Sequence, residues 1–248
     1  MKYPIDLHTH TIASDHAYST LVECVHEAKN VGLKMFATTD HGPEVSDGPH
    51  PWHFNNLKVV PRICEGVAVL RGAEANIVSD GSIDITNEQV KNLDIVLAGF
   101  HPNYIPTTVE EHTRLYKKVI QSGLVDVISH PGSARYPSDY EEVLVCAKEN
   151  NVAIEINSSS DINTRFGSHD NCIEIAKLAK KIGNTVSLGT DSHICYYLGN
   201  FESVMEILKD AEIGEDQIIN TSPLKVLDFL ESRGKEPIAQ MRSFFEKA

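Results

Sequence analysis

The chain has 248 residues, enough to bury a substantial core as one large domain or two small ones. Its 41% hydrophobic and 23% charged residues exclude a disordered chain, and no apolar run approaches the roughly 20 residues that span a bilayer. The net charge of −13 argues against a broad nucleic-acid face, and an anionic substrate would need bound cations that the formal count omits.

The N-terminal "MKYPIDLHTH" has no secretory apolar region, so a cytoplasmic protein is expected. Cys24, Cys64, Cys146, Cys172 and Cys195 are scattered, without a CxxC pair. An odd number in a chain of this size reads as free thiols, mostly buried, not as a disulfide framework.

Taken in chain order, short runs rich in Val and Ile alternate with amphipathic segments. The runs are "YPIDL" (3–7), "KMFATT" (34–39), "VAVLRGA" (67–73), "DIVLAGF" (94–100), "VDVIS" (125–129), "VAIEIN" (152–157) and "TVSLGT" (185–190). Near-continuous apolar character is the mark of buried parallel strands. Between them, Thr20 with Glu23, Thr108 with Glu111 and Ser138 with Glu141 fit capping boxes at helix starts. Gly32, Gly123 and Gly183 stand where three helices need a left-handed cap. Residues 200–210, 221–232 and 236–247 add further helices, and segment 42–66 reads as a polar excursion over one face.

Seven strand–helix alternations imply a parallel sheet with helical crossovers, closed or nearly closed into a β/α barrel. An open doubly wound sheet is the alternative. It is weakened by the absence of a GxGxxG after the first strand. One domain over 1–248 is expected.

The residues at the ends of the runs carry the chemistry. The first run is followed by His8 and His10, the second by Asp40 and His41, and the third by Glu74. The fourth is followed by His101, the fifth by His130, and the seventh by Asp191 and His193, while the sixth carries Glu155 and ends at Asn157. In β/α barrels these ends converge on one face, where active sites are built. With His16, seven histidines and two acids would meet in one bowl. A lone histidine after a strand is usually an ordinary polar residue. The same chemistry at every strand end points to a metal centre. Of the remaining histidines, His26 and His112 fall within helices, His169 precedes one, and His50 and His53 lie on the excursion.

"DLHTHT" with His16, "TTDHG", "GAE", "AGFH", "SHPG", "EIN" and "GTDSH" together resemble the PHP (polymerase and histidinol phosphatase) family over nearly the whole chain. The "PHPWHF" excursion is similar to the YcdX-type stand-alone branch. The resemblance implies an α/β fold, a distorted seven-stranded, TIM-like (β/α)7 barrel, with three divalent ions usually assigned as zinc. It implies a first ion on His8, His10, Glu74 and Asp191, a second on His16, His41 and His193, and a third on His101, His130 and bridging Glu74. It implies a phosphoesterase-like hydrolase and, from its branch, a homotrimer.

Imidazole-rich ligation suits zinc, manganese or iron better than calcium or magnesium. The expected reaction is attack of a metal-activated hydroxide on a small phosphorylated metabolite, with Glu74 and Asp40 as catalytic residues. Asp40 is expected to orient His41 or act on a water. Arg135, Arg165, His50 and His53 are candidate substrate contacts. A histidinol-phosphate phosphatase, a PHP nuclease, a metal-dependent amidohydrolase and a metal-storing protein without turnover are the alternatives. No Lys stands at a strand end, which disfavours the amidohydrolase.

Overall fold

The computed structural model describes residues 3–159 and 167–247. Seven parallel strands form the sheet: β1 (Ile5–Thr9), β2 (Met35–Thr38), β4 (Val67–Asn76), β5 (Ile95–Gly99), β6 (Val127–Ile128), β7 (Ala153–Asn157) and β8 (Val186–Gly189), side by side in that order. All seven expected runs are strands. The short β3 (Ile63–Cys64) pairs antiparallel with β4 at the end of the excursion, a hairpin too brief to leave a pattern in sequence.

The first and last strands meet without a full ladder, so the barrel is nearly closed. Backbone bonds beyond the strand ends complete the seam: Asp191 N–H donates to His8 O at 2.8 Å and His10 N–H to Ser192 O at 2.9 Å. The buried Asp6 carboxylate reinforces it, accepting from the backbone of Thr190 and Gly199, each at 3.0 Å.

Helices α1 (Leu21–Val31), α3 (Asn87–Asn92), α4 (Val109–Gln121), α5 (Tyr140–Glu149) and α6 (His169–Ile182) fill the connections, with the short α2 (Trp52–Asn56) on the excursion. Thr20 and Glu23 form the expected capping box of α1. For α5 the cap is one residue later than expected: Asp139, not Ser138, accepts from Glu142 N–H. Asp is as good a cap as Ser, so the two registers were equivalent in sequence. Gly32 and Gly183 close α1 and α6 in the left-handed conformation, and Gly123, directly after Ser122 at the end of α4, is left-handed as well. The expected C-terminal helices are α7 (Glu202–Asp210), α8 (Pro223–Ser232) and α9 (Ala239–Glu246).

Alternation along each strand sorts side chains between two layers. Outward residues such as Ala73, Val96, Ile154 and Leu188 pack under the helices. The lower inward row, Ile5, Leu7, Met35, Ala37, Ala68, Leu70, Ile95, Leu97, Val127 and Ala153, packs on Val226, Leu227 and Leu230 of α8 and Met241 of α9. The two C-terminal helices therefore plug the barrel floor. Further along, the same rows turn polar, to Glu74 four residues beyond Leu70 on β4 and Glu155 two residues beyond Ala153 on β7. An apolar floor below and ionisable groups above is the local reason the site stands at the C-terminal rim.

All five cysteines are free, and those within α1, α5 and α6 are buried. Among the described residues, no helix is long and apolar enough to cross a membrane.

Candidate metal centre

His8 and His10 owe their aim to an irregularity in β1. Asp6 pairs with Phe36 and Thr9 with Thr38, so β1 advances one residue more than β2 over the same stretch. Such a bulge reverses the alternation and re-aims the side chains beyond it. Leu7 faces the apolar floor and its neighbour His8 faces the bowl. The Nε2 atoms of His8 and His10 lie 3.1 Å apart, and His10 Nε2 lies 3.1 Å from Asp191 Oδ1.

Glu74 stands at the centre, fully buried, and its two oxygens face different histidines. Oε1 lies 2.6 Å from His130 Nε2 and 3.2 Å from His101 Nε2. Oε2 lies 3.0 Å from His41 Nδ1 and 3.2 Å from His8 Nε2. At the outer edge, His16 and His193 bring their Nε2 atoms within 2.7 Å of each other. All nine expected ligands thus gather in one cluster.

Three groups within it place one donor atom per residue inside 4.8 Å: His8, His10 and Asp191; His10, His41 and His193; and His41, Glu74 and His101. The first corresponds to the expected first site. His10 and His41 each stand between two sites, instead of serving one apiece.

The cluster suits divalent cations. Glu74 Oε2, His41 Nδ1 and His101 Nε2 are buried without a hydrogen bond although ligand atoms of these three residues gather within 4.8 Å of one another. Buried polar atoms are otherwise almost always paired, and a cation among these donors satisfies all of them. Two residues of the cluster also hold left-handed backbone conformations, His130 at φ 32° and Asp191 at φ 54°. Such conformations cost on the order of 1 kcal/mol or more each and persist where a site requires them.

Electrostatics sort the ligands. Burial alone would lower His8, but the carboxylates of Glu155 and Glu74 outweigh it and raise the ring to about 10. Burial, helped by His41 and His193, holds His10 well below the imidazole range. Burial likewise takes His41 down to about 4. Burial would raise Glu74, yet His8, His101 and His130 hold it well below the carboxylate range. Burial thus favours the neutral, metal-competent imidazole at His10 and His41, while the neighbouring carboxylates favour a proton on His8.

Glu155 lies beneath this layer. Its Oε1 meets His8 Nδ1 at 2.7 Å, and its Oε2 accepts from His130 N–H at 2.8 Å and from Asn157 Nδ2 at 3.0 Å. A carboxylate behind a ligating histidine fixes its tautomer and raises its basicity. Glu155→Gln should weaken metal affinity about 10–100-fold with the fold intact, as read by metal titration. Unchanged affinity would contradict the orienting role.

Two glycines make room for this arrangement. A Cβ on Gly189 would stand 2.2 Å from Glu155 Oε1 and 2.4 Å from His8 Cβ; one on Gly99 would stand 2.7 Å from His130 Cε1. Gly189→Ala should cost about 1–3 kcal/mol in chemical denaturation and weaken metal binding. Wild-type behaviour in both assays would show that the packing relaxes freely.

Other candidates behave differently. The Asp40 carboxylate accepts from Thr11 N–H at 2.7 Å, Thr11 Oγ1 at 2.8 Å and Ser14 Oγ at 2.9 Å. It anchors the loop between His10 and His16 and does not hold the His41 ring, whose Nδ1 turns to Glu74. His53 Nε2 lies 3.4 Å from Asp40 Oδ2, whereas exposed His50 accepts from Trp52 N–H in its own turn. Arg135 is exposed, with its guanidinium 5.7 Å from the Tyr136 ring centroid. Arg165 lies outside the described residues. His112 is a packing residue whose Nδ1 meets Pro137 O at 2.8 Å, and His26 is exposed.

Sequence reasoning missed Asp47, which pairs with His16 Nδ1 and whose carbonyl accepts from Asp15 N–H at 3.0 Å. It comes from the excursion, where no pattern announces it. It also left Glu155 without a role, although its parity with inward Asn157 was a usable signal.

The chain resembles known proteins over most of its length. A probable phosphatase of Proteus mirabilis (strain HI4320) is 52% identical over 238 residues, 95% of this chain and 97% of that protein. The probable phosphatase YcdX of Escherichia coli O81 (strain ED1a) is 47% identical over 240 residues, 96% of this chain and 98% of that one. The structure of histidinol phosphate phosphatase from Lactococcus lactis subsp. lactis Il1403, complexed with Zn, L-histidinol and phosphate, matches with a TM-score of 0.61. It covers 85% of this chain and 94% of its own at 19% identity, a likeness of fold. The family model described as PHP domain matches residues 6–213, a span that takes in all nine clustered ligands and leaves the helices of the floor beyond it. On that match, and on relatives nearly half identical from end to end, the chain belongs to the PHP domain family.

Proposed function

We propose that the protein is a metal-dependent phosphomonoester hydrolase acting on a small phosphorylated metabolite at a trinuclear centre. The observation that carries this reading is the position of Glu74, whose two oxygens face separate sets of histidines. A neutral histidine offers one donor atom, so only a carboxylate can bridge here.

In this reading His8, His10, Asp191 and Glu74 would hold one ion, His16, His41 and His193 a second, and His101, His130 and Glu74 a third. Zinc is the proposed metal, with manganese or iron suiting the same donors. Bound ions would supply a water of lowered pKa and positive charge against the phosphoryl oxygens. The chain's own residues orient and shield. Glu155 fixes His8, Asp47 fixes His16, and burial of the inner ligands excludes bulk water. The His16 side chain is 45% exposed, so the second position is the open side through which a phosphoryl group enters.

A panel of phosphorylated metabolites, assayed with metal content measured on the same sample, tests the reading. The expected result is turnover of one or more monoesters that disappears on chelation and returns with zinc or manganese. Failure of metal-replete protein to cleave any monoester would refute it. Cleavage of nucleic acid or of amide bonds alone would assign the site to a nuclease or an amidohydrolase.

A further inference from the structure

Of the twelve histidines, five lie outside the cluster, and one of these, His53, reaches back to the site. Its Nε2 lies 3.4 Å from Asp40 Oδ2, and Asp40 immediately precedes His41. The Asp40 side chain is fully buried, while that of His53 is 27% exposed, so the ring runs from the buried wall toward the mouth. We propose that His53 is the proton donor to the leaving-group oxygen, positioned by Asp40. The proposal rests on the phosphatase reading above and assigns a step which that reading leaves without a residue.

The ring is carried by an anchored element. His53 N–H donates to His50 O at 2.8 Å, the neighbouring Phe54 is 1% exposed, and Gln89 Nε2 of α3 donates to Pro51 O at 2.8 Å. His53 also lines a surface groove of about 610 Å³ with Trp52, Asn55, Asn56 and Lys58. The cluster, by contrast, is composed of metal-competent donors and holds no group kept in reserve for a proton transfer.

The chemistry balances. The oxygen of the attacking water bonds phosphorus and gives up one proton to solvent. The ester P–O bond breaks and its electron pair stays on the leaving oxygen. That oxygen takes the Nδ1 proton of the His53 imidazolium, whose Nε2 stays beside Asp40. The products are an alcohol and inorganic phosphate, and the neutral ring recovers its proton from solvent. A carboxylate that orients a histidine through one nitrogen, leaving the other for the reacting atoms, is the logic of catalytic triads. A donor of this kind contributes about 10²–10⁴ in rate when the leaving group is a poor one.

The test compares an alkyl phosphate, glycerol phosphate, with p-nitrophenyl phosphate, whose acidic phenol departs without protonation. His53→Gln should lower kcat on the alkyl ester about 10²–10³-fold and on the aryl ester only a few-fold, with the metal content of wild type. Asp40→Asn should show the same split with a smaller loss. In metal-free protein, Asp40→Asn should also shift the His53 ring nitrogens in the ¹⁵N NMR spectrum, a reading independent of turnover. Equal losses on both esters, no loss on either, loss of metal from His53→Gln, or an unmoved ring spectrum would each overturn the proposal. If wild-type enzyme cleaves neither ester nor any other monoester, the phosphatase reading falls and this proposal with it. If wild type cleaves both esters and the variant shows no split, only the assignment of His53 falls.

Discussion

Glu74→Gln should reduce kcat/KM on any phosphomonoester substrate by about 10³-fold or more, which is roughly 4 kcal/mol of transition-state stabilisation. The amide keeps the shape of the carboxylate but not its charge, and its NH₂ end would meet a metal ion as a donor. Both oxygens of Glu74 are engaged, each within 3.2 Å of two histidine nitrogens, so the loss should reach more than one ion. Metal content should therefore fall by more than one equivalent per chain. The metal-free variant should fold, because the floor of the barrel is built from the apolar packing of α8 and α9 and does not involve Glu74. Steady-state kinetics and elemental analysis of one preparation check this. Near-wild-type activity with full metal content would show that the carboxylate does not bridge.

Removal of the ions should cost stability as well as activity. Ligands converge from β1, β2, β4, β5, β6 and β8 or from the loops after them, so ions held there tie both sides of the β1–β8 seam. A ligand present at about 1,000 times its dissociation constant stabilises the native state by about 4 kcal/mol. For a chain of this size each kcal/mol shifts Tm by about 2–4 °C, so chelation should lower Tm by about 8–16 °C for each tightly held ion. The measurement is calorimetry with and without chelator, then readdition of zinc. An unchanged Tm after verified metal removal would place the ions outside the fold's stability.

The strands and the clustering of the rim residues were legible for a common reason. Buried parallel strands read as short Val- and Ile-rich runs, and a barrel places their C-terminal ends together. His101 and His130 could thus be assigned to one bowl although nothing local joins them. The supporting groups were less legible because their partners are distant in sequence. Glu155 sits 147 residues from His8, and Asp47 reaches His16 across 31 residues of chain. The β1 bulge left no mark in "IDLHTH", since an extra residue in a ladder shows only when both strands are seen. Asp40, next to His41 in sequence, was expected to serve that ring, but Thr11 and Ser14 offered closer donors. The helices of the barrel floor were expected as helices, yet their role as a plug depends on packing against six strands and has no local signature.

The most direct test is the location of the ions themselves, by anomalous diffraction from crystals of metal-replete protein at the zinc edge. Three peaks are expected: one among His8, His10 and Asp191, one among His16, His41 and His193, and one between His101 and His130, with Glu74 shared by the first and third. A single peak, or peaks that leave Glu74 uncoordinated, would contradict the trinuclear centre.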